Sequence, residues 1–426
     1  MQNVLLRHGD FKRLWAADAL SQAGTQVTAI ALPLLLIKVL DAGPFEVGLL
    51  TTFEFLAFLV VGLPAGVWVD RMRRRNVLMV ADLVRGLLYG SLPLAWALDV
   101  LTLPQVYAVA LIAGVCTVFF DVAYQSYLPA LVGREHLVEG NAKLTGSAQV
   151  ATVAGPGLAG GLVQAIGSPA AVAVDAASFL ASALGVGAIR APEPRPEVPE
   201  GGRRKLVHDI TEGLRFVFGN VLLRAIAATT ATSNFFSGIA AAVEVVFLVR
   251  AVHASPGVIG LLFAMGGVGG ILGAFAAGPI ATRVGGARAT LVGIVGNLGG
   301  LLLPLTTPGA GLLLFGLGML VVSFFVVVYN VNQVSFRQRL CPDHLLGRMN
   351  ATMRFVVWGV LPVGGLVGGV LGSLIGLRPT LWIGVAGEVL AGVWLVASPM
   401  RTMRDFPDVP EAPPVSPPVS PPGPAS

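Results

Sequence analysis

Residues 44–75 read PFEVGLLTTFEFLAFLVVGLPAGVWVDRMRRR. From Val47 to Val69 the stretch carries one charge, Glu54. Asp70 and then Arg71, Arg73, Arg74 and Arg75 follow with only Met72 between them. An apolar helix crosses a ~30 Å hydrocarbon core in about 20 residues. The stretch therefore reads as a membrane-spanning helix that stops at a charged membrane face.

The pattern recurs along the 426 residues, which are 55% hydrophobic and only 12% charged, with mean hydropathy +0.79. About twelve such runs occur, a number set by the length each needs. They fall near 14–37, 46–69, 76–98, 104–127, 144–167, 170–189, 222–249, 257–280, 289–306, 311–335, 350–375 and 379–398. The composition excludes a soluble enzyme, a coiled coil and a disordered hub. The predicted fold is an all-α polytopic membrane protein with twelve transmembrane helices. The first run is too long for a signal-peptide core and lacks a small-residue cleavage site, so it is expected to remain as helix 1.

The net charge of +5 is a topology signal, and no nucleic-acid partner is expected. With the N-terminus inside, 24 of the 28 Lys and Arg residues lie in inner segments or at the inner ends of spans. Lys38, Arg250 and Arg378 lie outside, and Arg85 is within a span. This bias places both termini in the cytoplasm. The 24 Arg against four Lys, with abundant Ala and Gly, suggest a GC-rich bacterial genome, and the expected location is the bacterial plasma membrane. Cys116 and Cys341 cannot form a disulfide framework from a span and an inner loop.

Two halves are visible in the sequence. An offset of 212 residues aligns Val47-Gly48-Leu49-Leu50 with Ile259-Gly260-Leu261-Leu262, and Gly66 and Arg71 with Gly278 and Arg283. Later matches pair Phe119-Phe120 with Phe324-Phe325 and Gly160-Gly161 with Gly368-Gly369. The expected division is a six-helix half at 1–190, a linker at 191–221, a second six-helix half at 222–400 and a Pro-rich disordered tail at 401–426. The linker begins as extended chain and continues as an amphipathic helix, with Leu206, Ile210, Leu214 and Phe218 on one face. Two pseudo-symmetric halves about a midplane site are an architecture of alternating-access transporters.

Here the residues carry a resemblance. Gly66, Asp70, Arg71, Arg74 and Arg75 match the loop motif G-x-x-x-D-R-x-x-R-[RK] of the major facilitator superfamily. Gly155-Pro156-Gly157-Leu158-Ala159-Gly160 is similar to its antiporter motif GPxxGG, with Ala in place of one Gly. Ala81-Asp82-Leu83-Val84-Arg85, Leu128-Pro129-Ala130-Leu131-Val132 and Pro342-Asp343-His344-Leu345-Leu346-Gly347-Arg348 resemble the third drug:proton antiporter family, the branch of macrolide-efflux and enterobactin-exporter proteins. Thr25 departs from that branch, many of whose members have an acid there. The resemblance implies proton-coupled efflux of a small amphipathic organic compound such as a drug, antibiotic or siderophore. It also implies an inner gate in which Asp70 contacts the start of helix 11 and Arg74 pairs with Asp121 on helix 4. An orientation signal with lipid-headgroup contact is the plainer reading of those charges. An importer, a lysolipid flippase and a non-transporting sensor remain open.

The residues add their own candidates. No G-x-x-x-x-G-K-[ST] occurs, so ATP is not the energy source, and no cofactor or metal is expected. Asp18, Glu54 and Glu244 lead the acids inside spans as proton-coupling candidates, ahead of Asp82, Asp121, Asp175 and Glu388. On helix 1, Asp18, Ser21, Gln22, Thr25 and Gln26 share a helical face. Thr230, Ser233, Asn234 and Ser237 repeat that stripe on helix 7. The two stripes are expected to line one substrate cavity, against the alternative of interhelical hydrogen bonding. Phe53, Phe55, Phe58, Phe235, Phe236 and Trp358 are candidates for its wall or for lipid-facing packing. Gly266/Gly270, Gly269/Gly273, Gly364/Gly368 and Gly365/Gly369 are read as helix packing. Asp82 and Arg85, three apart, can pair. The protein is expected to act as a monomer with its substrate, protons and the bilayer.

Overall fold

The computed structural model describes residues 8–133, 136–191, 193, 202–342 and 345–406. The first six spans are α1 Gly9–Val39, α2 Pro44–Asp70, α3 Arg74–Ala97, α4 Leu103–Val132, α5 Leu137–Ile166 and α6 Ser168–Gly187. The linker helix is α7, Gly202–Gly219. The second set comprises α8 Val221–Val246, α9 Pro256–Val284, α10 Gly286–Val295, α11 Leu312–Leu340, α12 Leu346–Trp358, α13 Leu361–Leu374 and α14 Leu377–Leu390. Among the described residues, ten helices are both long and apolar enough to cross a bilayer. The more polar α5 and the shorter Gly286–Leu302 complete twelve spans.

Four spans of the second half are irregular, the twelfth being interrupted at Ala391-Gly392 between α14 and a last helical turn at Val393–Val396. α8 continues into a π-helical turn at Phe247–Ala251, and α10 tightens into a 3-10 helix at Gly296–Leu302. The eleventh span is broken between α12 and α13 at Gly359-Val360, just before Pro362. Proline has no N–H for the helical ladder and crowds the preceding turn.

Both halves repeat one packing pattern. α1 packs on α5 and α6, α2 on α4, and α3 on α4 and α6. α8 likewise packs on α13 and α14, α9 on α11, and α10 on α11. The halves meet through the equivalent pairs α5–α9 and α2–α13, supplemented by α2–α8. After six and after twelve spans the chain returns to the side where it began. We call this the linker side, and the opposite one the far side.

Glycine positions set the helix approaches. On α13, Gly364 and Gly368 face α8, where an added methyl would meet the carbonyls of Phe235 and Ile239. Their neighbours Gly365 and Gly369 face α2 of the other half, around Gly48. A methyl on Gly48 would lie 2.6 Å from the Gly365 carbonyl oxygen and from the Gly369 Cα. On the other seam, a methyl on Gly160 would lie 2.8 Å from the Gly260 Cα. Both close approaches lie towards the far side. Arg250 and Asp41 add an ion pair of 3.0 Å there, with Arg250 also donating to the Ala42 carbonyl.

The tail differs in part from the expected division. Residues 401–406 are tied to the second half at points: Asp405 accepts from the Gly286 N–H at 3.0 Å, and Phe406 stacks on Phe336. Asp405 thereby occupies the N-terminus of α10, where an anion is favoured. The rest of the tail, 407–426, lies outside the described residues. Residues 202–219 of the linker form a helix whose buried positions are Gly213 and Val217, with Leu214 half-buried and Phe218 exposed. Gly213 lets α7 lie against Arg348 and Thr352 of α12, with Glu212 and Arg348 paired beside it. The side chains of Leu206 and Ile210 are outside the described residues.

Candidate transport path

A cavity of about 500 Å³ separates the halves in the linker-side part of the molecule. Phe58 and Gly62 of α2, Val118, Val122 and Gln125 of α4, and Asn350, Arg354 and Phe355 of α12 line it. Across it, Arg354 donates to Asp121 at 2.9 Å and sits 5.3 Å from the centroid of the Phe58 ring. Phe55, Phe58 and Trp358 form a continuous aromatic contact between α2 and α12, with centroids 5.4–6.3 Å apart. A partly solvated arginine over an aromatic face gains both hydrogen bonding and cation–π attraction.

The expected Arg74–Asp121 contact is not assembled here, because Arg354 from the other half occupies Asp121. Arg74 and Arg75 instead present their backbone N–H groups to the carboxylate of Glu193, which sits at the start of α3. The Arg75 guanidinium donates to the carbonyls of Val186 and Gly187 at the end of α6. An acid at a helix start and a cation at a helix end are the favourable senses of the helix dipole. Arg71 is exposed, and the surroundings of Gly66 and the Asp70 side chain lie outside what is described. Sequence reading singled out neither Glu193 nor Arg354. The first lay in a stretch read as linker, and the second was counted only as a basic residue at a span end.

The motif on α5 acts in the seam between halves. Gly160 and Gly260 face each other, and the Pro156 carbonyl lies against Gly260. Gly155 faces the other way, against the Gln26 side chain of α1. The glycines thus admit α1 on one side and α9 on the other.

The two polar stripes are placed differently. On α1, Asp18 and Ser21 are buried, and Asp18 faces Gln22 and Tyr124. Thr25 returns its hydroxyl to the Ser21 carbonyl of its own helix at 2.9 Å, a bond within α1 rather than between helices. On α8, Thr230, Ser233, Asn234 and Ser237 line a second cavity of about 330 Å³ inside the C-terminal half. Thr230 meets the Tyr329 hydroxyl at 2.7 Å, and Asn234 donates to the Val357 carbonyl at 2.8 Å. Glu388 of α14 and Trp358 of α12 also line this cavity.

Glu54 and Glu244 are half-buried and, among the described residues, make no ion pair or side-chain hydrogen bond. Asp82, Arg85 and Asp175 are buried in the N-terminal half. Asp82 pairs with Arg85 and accepts from Ser182 at 2.6 Å. Arg85 lies between the rings of Phe120 and Phe179, 4.6 and 4.4 Å from their centroids. This enclosed set reads as the structural pair that the three-residue spacing allowed. The aromatic candidates divide likewise. Phe58 and Trp358 face the cavities, whereas Phe53 stacks on Tyr107 and Phe236 packs over Gly387.

A polytopic helical protein with two equivalent halves, a cavity between them and a seam closed on one side belongs to the class of alternating-access membrane transporters. The chain is a member of the Major Facilitator Superfamily, whose family model matches residues 14–356. It is therefore a multi-pass membrane transporter and not an enzyme. It is similar to the enterobactin exporter EntS of Citrobacter koseri, at 26% identity over 97% of this chain and 98% of that protein. It is similar also to the multidrug efflux pump Tap of Mycolicibacterium fortuitum, at 26% identity over 91% of this chain and 95% of the other. Among solved structures, the nucleoside transporter NupG shares the fold with a TM-score of 0.73 at 12% identity, covering 92% of this chain and 99% of that one. A bacterial homologue of ferroportin in an inward-facing state aligns with a TM-score of 0.70 at 15% identity, over 91% and 98% of the two chains.

Proposed function

We propose that this protein exports a small amphipathic organic compound across a bacterial plasma membrane by alternating access, driven by protons. The observation that carries the reading is the asymmetry of the seam. Glycine contacts draw the halves together towards the far side, while the cavity crossed by Asp121–Arg354 lies on the linker side. The arginine bias supports a cytoplasmic linker side with both termini there. The structure then represents the state that collects substrate from the cytoplasm or inner leaflet. Full-length similarity to two exporters supports the outward direction.

Asp18, Glu54 and Glu244 remain the candidates for proton exchange. Asp121–Arg354 is the element that couples site and gate, since it bridges the halves only while their linker-side ends hold their present distance. Asp70, Arg71, Arg74 and Arg75 act in the opposite state, when the linker side closes. The seam glycines Gly155, Gly160 and Gly260 and Pro156 shape the far-side closure, and the protein works as a monomer because both halves are in one chain.

Ethidium, a fluorescent amphipathic cation, tests the reading. Cells producing the protein should accumulate less of it, and energised inside-out vesicles should take it up until a protonophore is added. Greater accumulation in cells, or uptake indifferent to the gradient, would contradict export or coupling respectively. The double variant Glu54→Gln, Glu244→Gln should retain counterflow while losing gradient-driven uptake. Full gradient-driven uptake in it would remove both acids from the mechanism.

A further inference from the structure

The cavity inside the C-terminal half has a composition that its hydroxyls alone do not explain. Five helical segments enclose it: α8, α10 with its 3-10 continuation, α11, α12 and α14. One ionisable carboxylate, Glu388, lines it, together with Ser233, Ser237, Asn330, Tyr329 and Trp358. Among the described residues, the Glu388 carboxylate has no hydrogen bond and no ion pair. Only its backbone carbonyl is engaged, accepting from Asn297 at 3.1 Å. An acid inside a membrane span is costly and is retained where it meets a partner or a polar cavity. Here the polar cavity is present and, among the described residues, no cation pairs with the carboxylate.

We propose that Glu388 anchors an organic ammonium group, so that the C-terminal cavity is the polar subsite for amine-bearing substrates. This rests on the export reading and supplies the substrate class. Three features of the cavity suit an ammonium. The carboxylate provides the counter-charge, the Ser233 and Ser237 hydroxyls can accept N–H bonds, and the Trp358 indole provides the aromatic face that attracts a cation. A metal ion fits less well. No group of three His, Cys, Asp or Glu side chains occurs among the described residues. A cavity of about 330 Å³ also exceeds what a proton alone requires and falls within the range of small-molecule sites.

Access follows from the position of Trp358. It lines this cavity and also contacts Phe58, which lines the cavity between the halves. The helix breaks directly after it, at Gly359-Val360. The indole is thus a partition between the two spaces, placed at the end of a helical segment. A substrate entering between the halves reaches Glu388 past this ring and leaves its apolar part against Phe55 and Phe58.

The test uses purified full-length protein in nanodiscs, at equilibrium and without a gradient, so that binding is separated from transport direction and coupling. The probe is tritiated 1-naphthylmethylamine, with 1-naphthalenemethanol as neutral isostere and 1-naphthoate as anionic one. Wild type should bind the amine at least tenfold more tightly than the alcohol. Glu388→Gln should abolish that preference while changing alcohol binding less than twofold. Glu388→Asp should keep part of it, and Asn330→Asp should strengthen amine binding, which covers the case of a poorly folded Gln variant. Equal wild-type affinity for the three isosteres would overturn the assignment. So would an equal loss for amine and alcohol in Glu388→Gln, or a preference that disappears in Glu54→Gln or Glu244→Gln but survives in Glu388→Gln.

Discussion

The Asp121–Arg354 pair and the Asp82–Arg85 pair contain the same chemistry in different settings. The first is partly solvated, with side chains 39% and 37% exposed, and joins two halves. The second is buried inside one half. Removing one member of a buried pair leaves an uncompensated charge and costs about 3–5 kcal/mol, whereas an apolar replacement of both can be nearly neutral. Arg85→Gln should therefore lower the thermal midpoint of the detergent-solubilised protein substantially. The double variant Asp82→Leu, Arg85→Met should recover most of it. At Asp121–Arg354 the expectation differs: Arg354→Gln should reduce transport about tenfold with little effect on the melting midpoint. Asp121→Arg combined with Arg354→Asp should restore part of the activity, as contacting sites couple by ~0.5–3 kcal/mol. Transport losses that simply add in the exchanged variant would separate the two residues functionally.

At the scale of elements, the spans and their glycine faces were legible because hydropathy and G-x-x-x-G spacing are local. The glycine pairs on α13, read as helix packing, turn one face to α8 and the other to α2. The Asp121–Arg354 contact was not legible, since its partners are 233 residues apart and neither sits in a periodic pattern that points to the other. Nor was the fate of the α1 stripe. Thr25 and Ser21 share a face by spacing, but that spacing also permits the backbone hydrogen bond they make. The linker helix shows the same limit, as the Leu214 and Phe218 stripe was readable while the docking face at Gly213 has no side chain to signal it. Gly213→Leu should lift α7 from α12, where a methyl would already lie 2.8 Å from the Arg348 carbonyl oxygen. Trypsin should then cut at the 203–205 basic cluster several-fold faster in solubilised protein. An unchanged cleavage rate would mean that α7 does not depend on this contact.

For the whole molecule, the duplicated sequence and the repeated helix packing describe two equivalent halves, and the charge bias predicts how they are oriented. In a background lacking Cys116 and Cys341, single cysteines at Asp41 and Asp99 should react with an impermeant thiol reagent on intact cells. One at Arg204 should not react, and labelling there would reverse the orientation. The central claim is that the halves exchange a far-side seam for a linker-side one. Spin labels at Asp99 and His253 report the far side, and labels at Arg73 and Thr282 report the linker side. Gly260→Leu introduces a side chain where even a methyl would lie 2.8 Å from the Gly160 Cα. Relative to wild type, pulsed electron paramagnetic resonance should show the far-side distance lengthening and the linker-side distance shortening in this variant. Two distances that stay fixed, or that change in the same direction, would contradict alternating access about this seam.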